Sequence, residues 1–540
     1  MKRIVIYSAC FLALAGAIAS CKKKLEGDYL NPEATTTGSL GKLLTGMLTN
    51  RRVHPTYWDY ATFVTGVTGK YSQFLGVITD KQMYVPSVGY NGNRWSDYYI
   101  GAPSDPNNPS SRDGAGIVSQ YREIVKNFNK LPAAEQASQY VFVQLAKVIY
   151  YDQTAQVVDL WGDIPFTQAG TLDATNTLSY AKYDDAAGIY DTLINGLKDI
   201  NTWLAGASLS TATATTLAKQ DILLGGTLAS WRRYVNSLRL RLLMRVSYVK
   251  ETSAKAEVTA MLSAPATYPM VDDNTQNILL KEMPTTFTSD LRTGLTDAAS
   301  SDGPYAAAFV LDTVMVANND PRTDVFWDRG SKNTSYMGLS ASTGSSIQSA
   351  QISNGLIATF DSATFIYNSN IPGVLMTAAE VSFLKAEAYE RWGLGTAATA
   401  YANGISQSVN FYYSLNQSKV LWSGAPGSWA SLTTPSATTI ATYIAGANIV
   451  YAGTSAQKLA KIATQNWLNF FMLQAGQAWA EVRRTNYPVL NFAVDTGYPT
   501  APLPPTRVLY PETETVYNTD NYSAVKAKDT RTTKIFWDVN

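Results

Sequence analysis

The densest group of ligand-gripping side chains in the 540-residue chain is an aromatic and amide cluster. Tyr84, Tyr90, Asn91, Asn93, Arg94, Trp95, Asp97, Tyr98 and Tyr99 fall within one short stretch. Flat rings cover apolar C–H faces and lose little entropy in doing so, because they have only two side-chain torsions. Amides and a few charged groups meet hydroxyls with directed hydrogen bonds. A ligand with an apolar ring face and a hydroxyl rim, such as a sugar, suits this combination. Trp95 is the expected stacking platform, with Asn93, Arg94 and Asp97 as hydroxyl partners. Tyr98 and Tyr99 are adjacent, so in an extended segment they point to opposite faces and at most one of them is expected to stack on ligand. The competing role for every aromatic here is core packing.

Other chemistry is less well supplied. One histidine, His54, rules out zinc sites with two or more histidines and leaves little room for a Ser-His-Asp system. It reads as structural. There is no phosphate-binding glycine loop, dinucleotide fingerprint or nucleophile elbow. Ser-x-x-Lys occurs at residues 382–385 and at five other places, so it carries no information. Residues 272–277 lack the glycine and the final acid of a calcium loop. The 42 Asp+Glu allow many carboxylate pairs, which keeps a glycosidase open as an alternative. No cofactor is expected.

Composition narrows the class. The 46% apolar content supports a folded chain. Only 16% is charged, below the usual ~25%, so neutral hydrogen-bonding groups make much of the polar surface. A net charge of +1 gives no field for a polyanion, and no nucleic-acid partner is expected.

The beginning of the chain reads as a targeting segment. Lys2-Arg3 precede an apolar run from Ile4 to about Ala19, shorter than a membrane span. Ile18-Ala19-Ser20-Cys21 has the small residues of a lipoprotein cleavage site. Residues 1–20 are therefore expected to be a lipoprotein signal peptide, Cys21 the lipidated residue and 21–40 a tether. Removing Lys2 and Arg3 leaves 41 basic against 42 acidic residues and a single, acylated cysteine. Such a chain has no internal disulfide and is held to the membrane by its acyl chains.

The elements that must position these groups are mostly helices. Val141, Leu145, Val148, Ala155 and Val158 share one face of a helix ending near Asp159. Tyr183 to Leu204 and Leu217 to Val249 carry the same period. The second bears Arg232, Arg233, Arg239, Arg241 and Arg245, read as a solvated or ion-paired face. Thr377 and Glu380 form an expected capping box. Val381, Leu384, Ala388 and Trp392 follow on one face, and Gly393-Leu394-Gly395 closes the helix. Tyr401, Ile405, Val409 and Tyr412 mark a second helix, giving a hairpin like a tetratricopeptide repeat of ~34 residues. A long helix is expected from about Gln457 to Arg483. Residues 84–116, 328–372 and 422–437 read as irregular.

These residues also carry a family likeness. Asp159-Leu160-Trp161-Gly162-Asp163-Ile164-Pro165-Phe166, the run Leu375 to Ala388, and Gln465-Asn466-Trp467 through Ala478 to Thr485 resemble signatures of SusD/RagB outer-membrane lipoproteins, in the SusD-like branch. Arg507 to Glu512 and Thr533 to Val539 are similar too. The resemblance implies a mainly α fold with four tetratricopeptide-like helix pairs and a loop-rich ligand region packed on them. It implies one domain over 41–540, with loop-rich parts around 84–116 and 265–372. It implies a non-catalytic glycan-binding lipoprotein at the cell surface, partnered with a SusC-like TonB-dependent transporter. The other readings are a surface glycoside hydrolase and a peptide-uptake or scaffold lipoprotein. In this family aromatic binding residues come from the early region and from loops past the middle, which here offer Tyr305, Trp327 or Tyr336. The expected ligand set is Tyr90, Asn93, Arg94, Trp95, Asp97, Tyr98 and Trp327. Trp422 and Trp429 read as a second platform or a contact with the transporter.

Overall fold

The computed structural model describes residues 39–53, 59–79, 82–86, 90–101, 115–171, 180–281 and 303–540, without the side chains of Tyr90, Asn91 and Asn93. Residues 1–20, Cys21, most of the tether, and His54 lie outside the described residues.

The architecture is mainly helical, as expected. Helix α1 (Leu40–Leu48) packs on α3 (Ile117–Asn129) and α4 (Ala133–Trp161). Helix α2 (Tyr90–Tyr99) lies against the same group. Next come α5 (Ala186–Gly206), α6 (Thr211–Gln220) and α7 (Leu228–Arg245), with α5 packed on α7. Helices α8 (Ala378–Trp392) and α9 (Ala397–Gln417) fold back on each other through a four-residue link opened by Gly393 at φ +69°. Helices α10 (Ser455–Phe470) and α11 (Ala475–Thr485) complete the scaffold.

Side-chain period explains the packing. Tyr401, Ile405, Val409 and Tyr412 are fully buried along α9, as their spacing requires. Two apolar clusters result. One gathers α1, α3–α5 and α7; the other gathers residues 306–327, 358–366, α9 and α10. Helix α8 serves both, giving Val381 and Leu384 to the first and Ala379 and Phe383 to the second.

Four expectations are corrected. The region 84–116 contains helix α2, because its aromatics bury in helical register. The pattern from Leu217 to Val249 is two helices. Gly225 and Gly226 have φ of +61° and +76°, and Asp221 collects the amides of Leu223, Leu224 and Gly226. The helix from Gln457 breaks at Phe471, whose φ is +40°. Its ring stacks 4.0 Å from that of Phe326, so core packing holds the unusual backbone. Finally, Thr377 caps the amide of Glu380, but the Glu380 carboxylate pairs with Arg241 on α7. The reciprocal box occurs at Thr454 and Gln457.

Arg239, Arg241 and Arg245 of α7 are buried and ion-paired. Arg241 binds Glu380 and Asp152, and Arg245 sits 3.6 Å from Asp159 and 3.7 Å from Glu481. Arg484 on α11 joins Glu387 to Glu481. Buried arginines thus tie α4, α7, α8 and α11 together through carboxylates that would be costly to leave unpaired.

Candidate functional site

The loop-rich region forms a small irregular sheet. Gly76 N–H donates to Tyr305 O (2.9 Å), and Ala307 N–H to Phe74 O (3.2 Å). Leu339 N–H donates to Ala306 O (2.7 Å), and Ala306 N–H to Ala358 O (2.9 Å). Segments remote in sequence are thereby set side by side. Two glycines permit the close approach. A Cβ on Gly76 would lie 2.8 Å from Leu339 Cβ, and one on Gly338 would lie 2.4 Å from Ala308 Cα. The buried Gln348 pins the neighbouring loop, accepting from Thr79 N–H (2.8 Å) and donating to Val77 O and Ser340 O.

This sheet walls a cavity of about 190 Å³. Its lining includes Lys70, Gln73, Tyr84, Phe309, Asp312, Ser340, Ser342, Asn491 and Phe492. At roughly 30 Å³ per water, it holds about six waters, the scale of one sugar ring. Gln73, at φ +53°, fixes the far wall with a two-way amide clamp. Its Nε2 donates to Asn491 O (2.5 Å), and its Oε1 accepts from Asn491 N–H (3.0 Å). Tyr84 donates to Ala493 O (2.8 Å) and meets the Phe492 ring edge-on at 5.8 Å. Burial, with Asp495 nearby, pushes the Tyr84 hydroxyl up to about 12, so it stays a donor at neutral pH. Phe309 is half-buried and held edge-on by Trp467 at 6.0 Å.

Asp312 is the carboxylate of this wall. It accepts from Gly338 N–H at 2.9 Å. Burial raises its pKa and the Gly338 hydrogen bond partly opposes the rise. The cavity therefore offers aromatic surface, neutral donors and acceptors, the Lys70 side chain and one half-buried carboxylate. That set can cover a ring face and direct its hydroxyls.

The expected ligand residues are placed elsewhere. Trp95 is only 4% exposed, surrounded by Tyr99 at 4.9 Å, Trp161 at 5.3 Å and Tyr510 at 5.8 Å. Its Nε1 donates to Glu514 (3.1 Å). Asp97 is buried against Arg51. Tyr98 is fully buried and shares a 2.7 Å hydrogen bond with Thr154. Arg94 is half-buried and donates to Asp59 (2.9 Å). Trp327 is 1% exposed and stacks on Phe360 at 4.8 Å. In this structure, then, Trp95, Asp97, Tyr98 and Trp327 are core groups with no face open to a ligand. The helix that carries Trp95 turns it inward. The Tyr90 and Asn93 side chains lie outside the described residues. Tyr305 is half-buried and lends its backbone to the sheet, while Tyr336 donates to Asp324 (2.5 Å) beneath Arg329.

Sequence reasoning missed Phe309, Asp312, Gln73 and Phe492. The aromatic-beside-amide signal was present at Asn491-Phe492, but too short to stand out.

Comparison with known proteins fits this architecture. The SusD-like family, described as starch-binding and associating with the outer membrane, matches residues 114–511. A solved structure described as a chitin-binding protein superposes with a TM-score of 0.71 at 22% identity, over 92% of this chain and 100% of the other. A SusD homologue from Bacteroides fragilis gives 0.69 at 18% identity, over 92% and 99%. A SusD/RagB family protein from Bacteroides thetaiotaomicron gives 0.68 at 17%, over 93% and 100%. No curated protein matches the chain. Because the family match spans most of the sequence and the helical scaffold agrees with it, this chain belongs to the SusD-like family.

Proposed function

We propose that the protein is a non-catalytic lipoprotein of the outer membrane that captures a neutral glycan in the Phe309–Phe492 cavity and passes it to a SusC-like TonB-dependent transporter. The observation that carries this reading is the make-up of the cavity: two partly exposed aromatic walls, hydroxyl and amide groups, and one charged side chain of each sign, Lys70 and Asp312. Of the described lining residues, Asp312 alone bears a carboxylate. A glycosidase of the usual kind needs two carboxyl groups about 5–10 Å apart, which favours retention over hydrolysis. The family's association with the outer membrane supports the location. Cys21 is the proposed acyl anchor. No helix of the described residues is long and apolar enough to cross a membrane.

Native gels cast with soluble starch, glycol chitin and other neutral polysaccharides test the reading, alongside a reducing-end assay. Retardation by at least one polysaccharide without new reducing ends is expected. Release of reducing ends by pure protein would replace capture with hydrolysis.

A further inference from the structure

A second aromatic feature lies apart from the cavity. Trp422 is 43% exposed and belongs to the loop that follows α9. Its backbone N–H donates to Tyr367 O (3.0 Å). The ring of the same Tyr367 stacks on Trp429 at 4.9 Å, with the planes 13° apart. The backbone of Trp422 and the ring of Trp429 thus both meet Tyr367. The base beneath them is rigid. Asn368 pairs with Leu421 in an antiparallel bridge, and Ser369 N–H donates to Val420 O (2.8 Å). Gly424 seats the Trp422 ring, since a Cβ there would come within 2.1 Å of it.

We propose that Trp422, with the Tyr367–Trp429 pair, is an accessory binding surface for a neutral polysaccharide chain, separate from the cavity. It rests on the glycan reading above only for the class of ligand.

The chemistry of the surroundings selects the occupant. No residue from Val420 to Gln457 is charged, and the adjoining Lys419 already donates to Ser431 Oγ (2.8 Å) and Asn416 O (3.1 Å), which leaves the loop little charge for a charged partner. Serines and threonines surround the rings, suited to hydroxyls. Size points the same way. A stable protein interface buries about 800 Å² per partner, whereas the exposed large apolar side chains in this loop are Val420 and Trp422. A patch of two such side chains is too small for an interface of that kind. A core role does not explain an indole that is 43% exposed beside a glycine. Because the rings are already ordered, binding loses little further entropy.

The test compares the full chain with W422A and with G424A, which displaces the ring without removing it. Retention in gels of soluble starch and glycol chitin is measured beside calorimetry with a trisaccharide. We expect about tenfold weaker polysaccharide retention in both variants, the scale of one lost stacking contact, with trisaccharide affinity unchanged. Wild-type retention in both variants would overturn the surface and leave the cavity reading intact. So would W422A that keeps its retention but no longer co-purifies with a β-barrel transporter, which would assign the surface to a protein contact. Loss of trisaccharide binding in these variants would overturn its separateness. Polysaccharide retention that persists in F309A and stays sensitive to W422A would support it even if the cavity reading failed. A wild-type chain retaining no polysaccharide would overturn the proposal, while trisaccharide binding alone would still uphold the cavity.

Discussion

Phe492 becomes a cavity wall through its neighbours. Gln73 clamps the backbone of Asn491 and Tyr84 clamps that of Ala493, so the ring between them has one place to go. Truncating it removes a stacking surface and leaves the clamp. Phe492→Ala should weaken oligosaccharide binding about tenfold with little change in unfolding midpoint, as read by calorimetry and denaturation. Equal affinity would remove Phe492 from the site. Asp312 makes a different prediction. Its carboxylate is to accept a sugar hydroxyl, and burial raises its pKa. Protonation ends that role as pH falls, so affinity should drop at a pH above the ~3.9 of an ordinary aspartate. Asp312→Asn should abolish that drop, and a drop that persisted would assign it to another group. Phe492 and Asp312 were not legible in the sequence, because the cavity joins residues 70–84, 307–342 and 491–492, which no local pattern links. Trp95 misled for the opposite reason. Its Asn- and Gly-rich surroundings look like a loop, but they form one turn after another of helix with the indole facing inward.

At the scale of elements, periodicity identified α8 and α9 because their apolar faces are continuous and their ends carry local signals, Thr377 and Gly393. It did not reveal the break at Gly226, where Asp221 gathers local amides, or the one at Phe471, where packing on Phe326 holds the backbone. Nor did it show that Glu380 serves α7. Removing that carboxylate strips Arg241 of its closest buried partner. Glu380→Ala should cost about 3–5 kcal/mol, measured by urea unfolding; a loss below ~1 kcal/mol would mean that Asp152 compensates. Asp361 offers a pH test of the loop-rich elements. It caps residues 362–366 through Thr364 N–H (2.6 Å), and burial, aided by nearby Asp328, pushes its pKa up to about 7. Unfolded, it titrates near 3.9. Between those values the folded state holds the extra proton, so stability falls as pH rises and levels off above the folded pKa. Asp361→Asn should flatten that fall in unfolding midpoints taken from about pH 4 to 8. An unchanged slope would exonerate Asp361.

Across the whole molecule, a helical scaffold braced by buried arginine–carboxylate pairs supports a loop-built region that shares a core with α9 and α10. The motifs behind the family resemblance belong chiefly to the scaffold: Trp161 donates to Leu509 O, and Arg484 bridges Glu387 and Glu481. This is why the fold could be read from the sequence and the ligand site could not. Scaffold residues repeat a pattern, whereas the cavity is made by the meeting of unrelated loops. The account stands on the cavity holding a neutral sugar without changing it. Calorimetric titration of the full chain with neutral oligosaccharides, followed by recovery of the sugar, tests this most directly. The account predicts binding of at least one oligosaccharide, its return intact, loss of affinity in Phe309→Ala and Phe492→Ala, and retention in Trp95→Phe. A shortened sugar, or affinity lost in Trp95→Phe but kept in both phenylalanine variants, would contradict it.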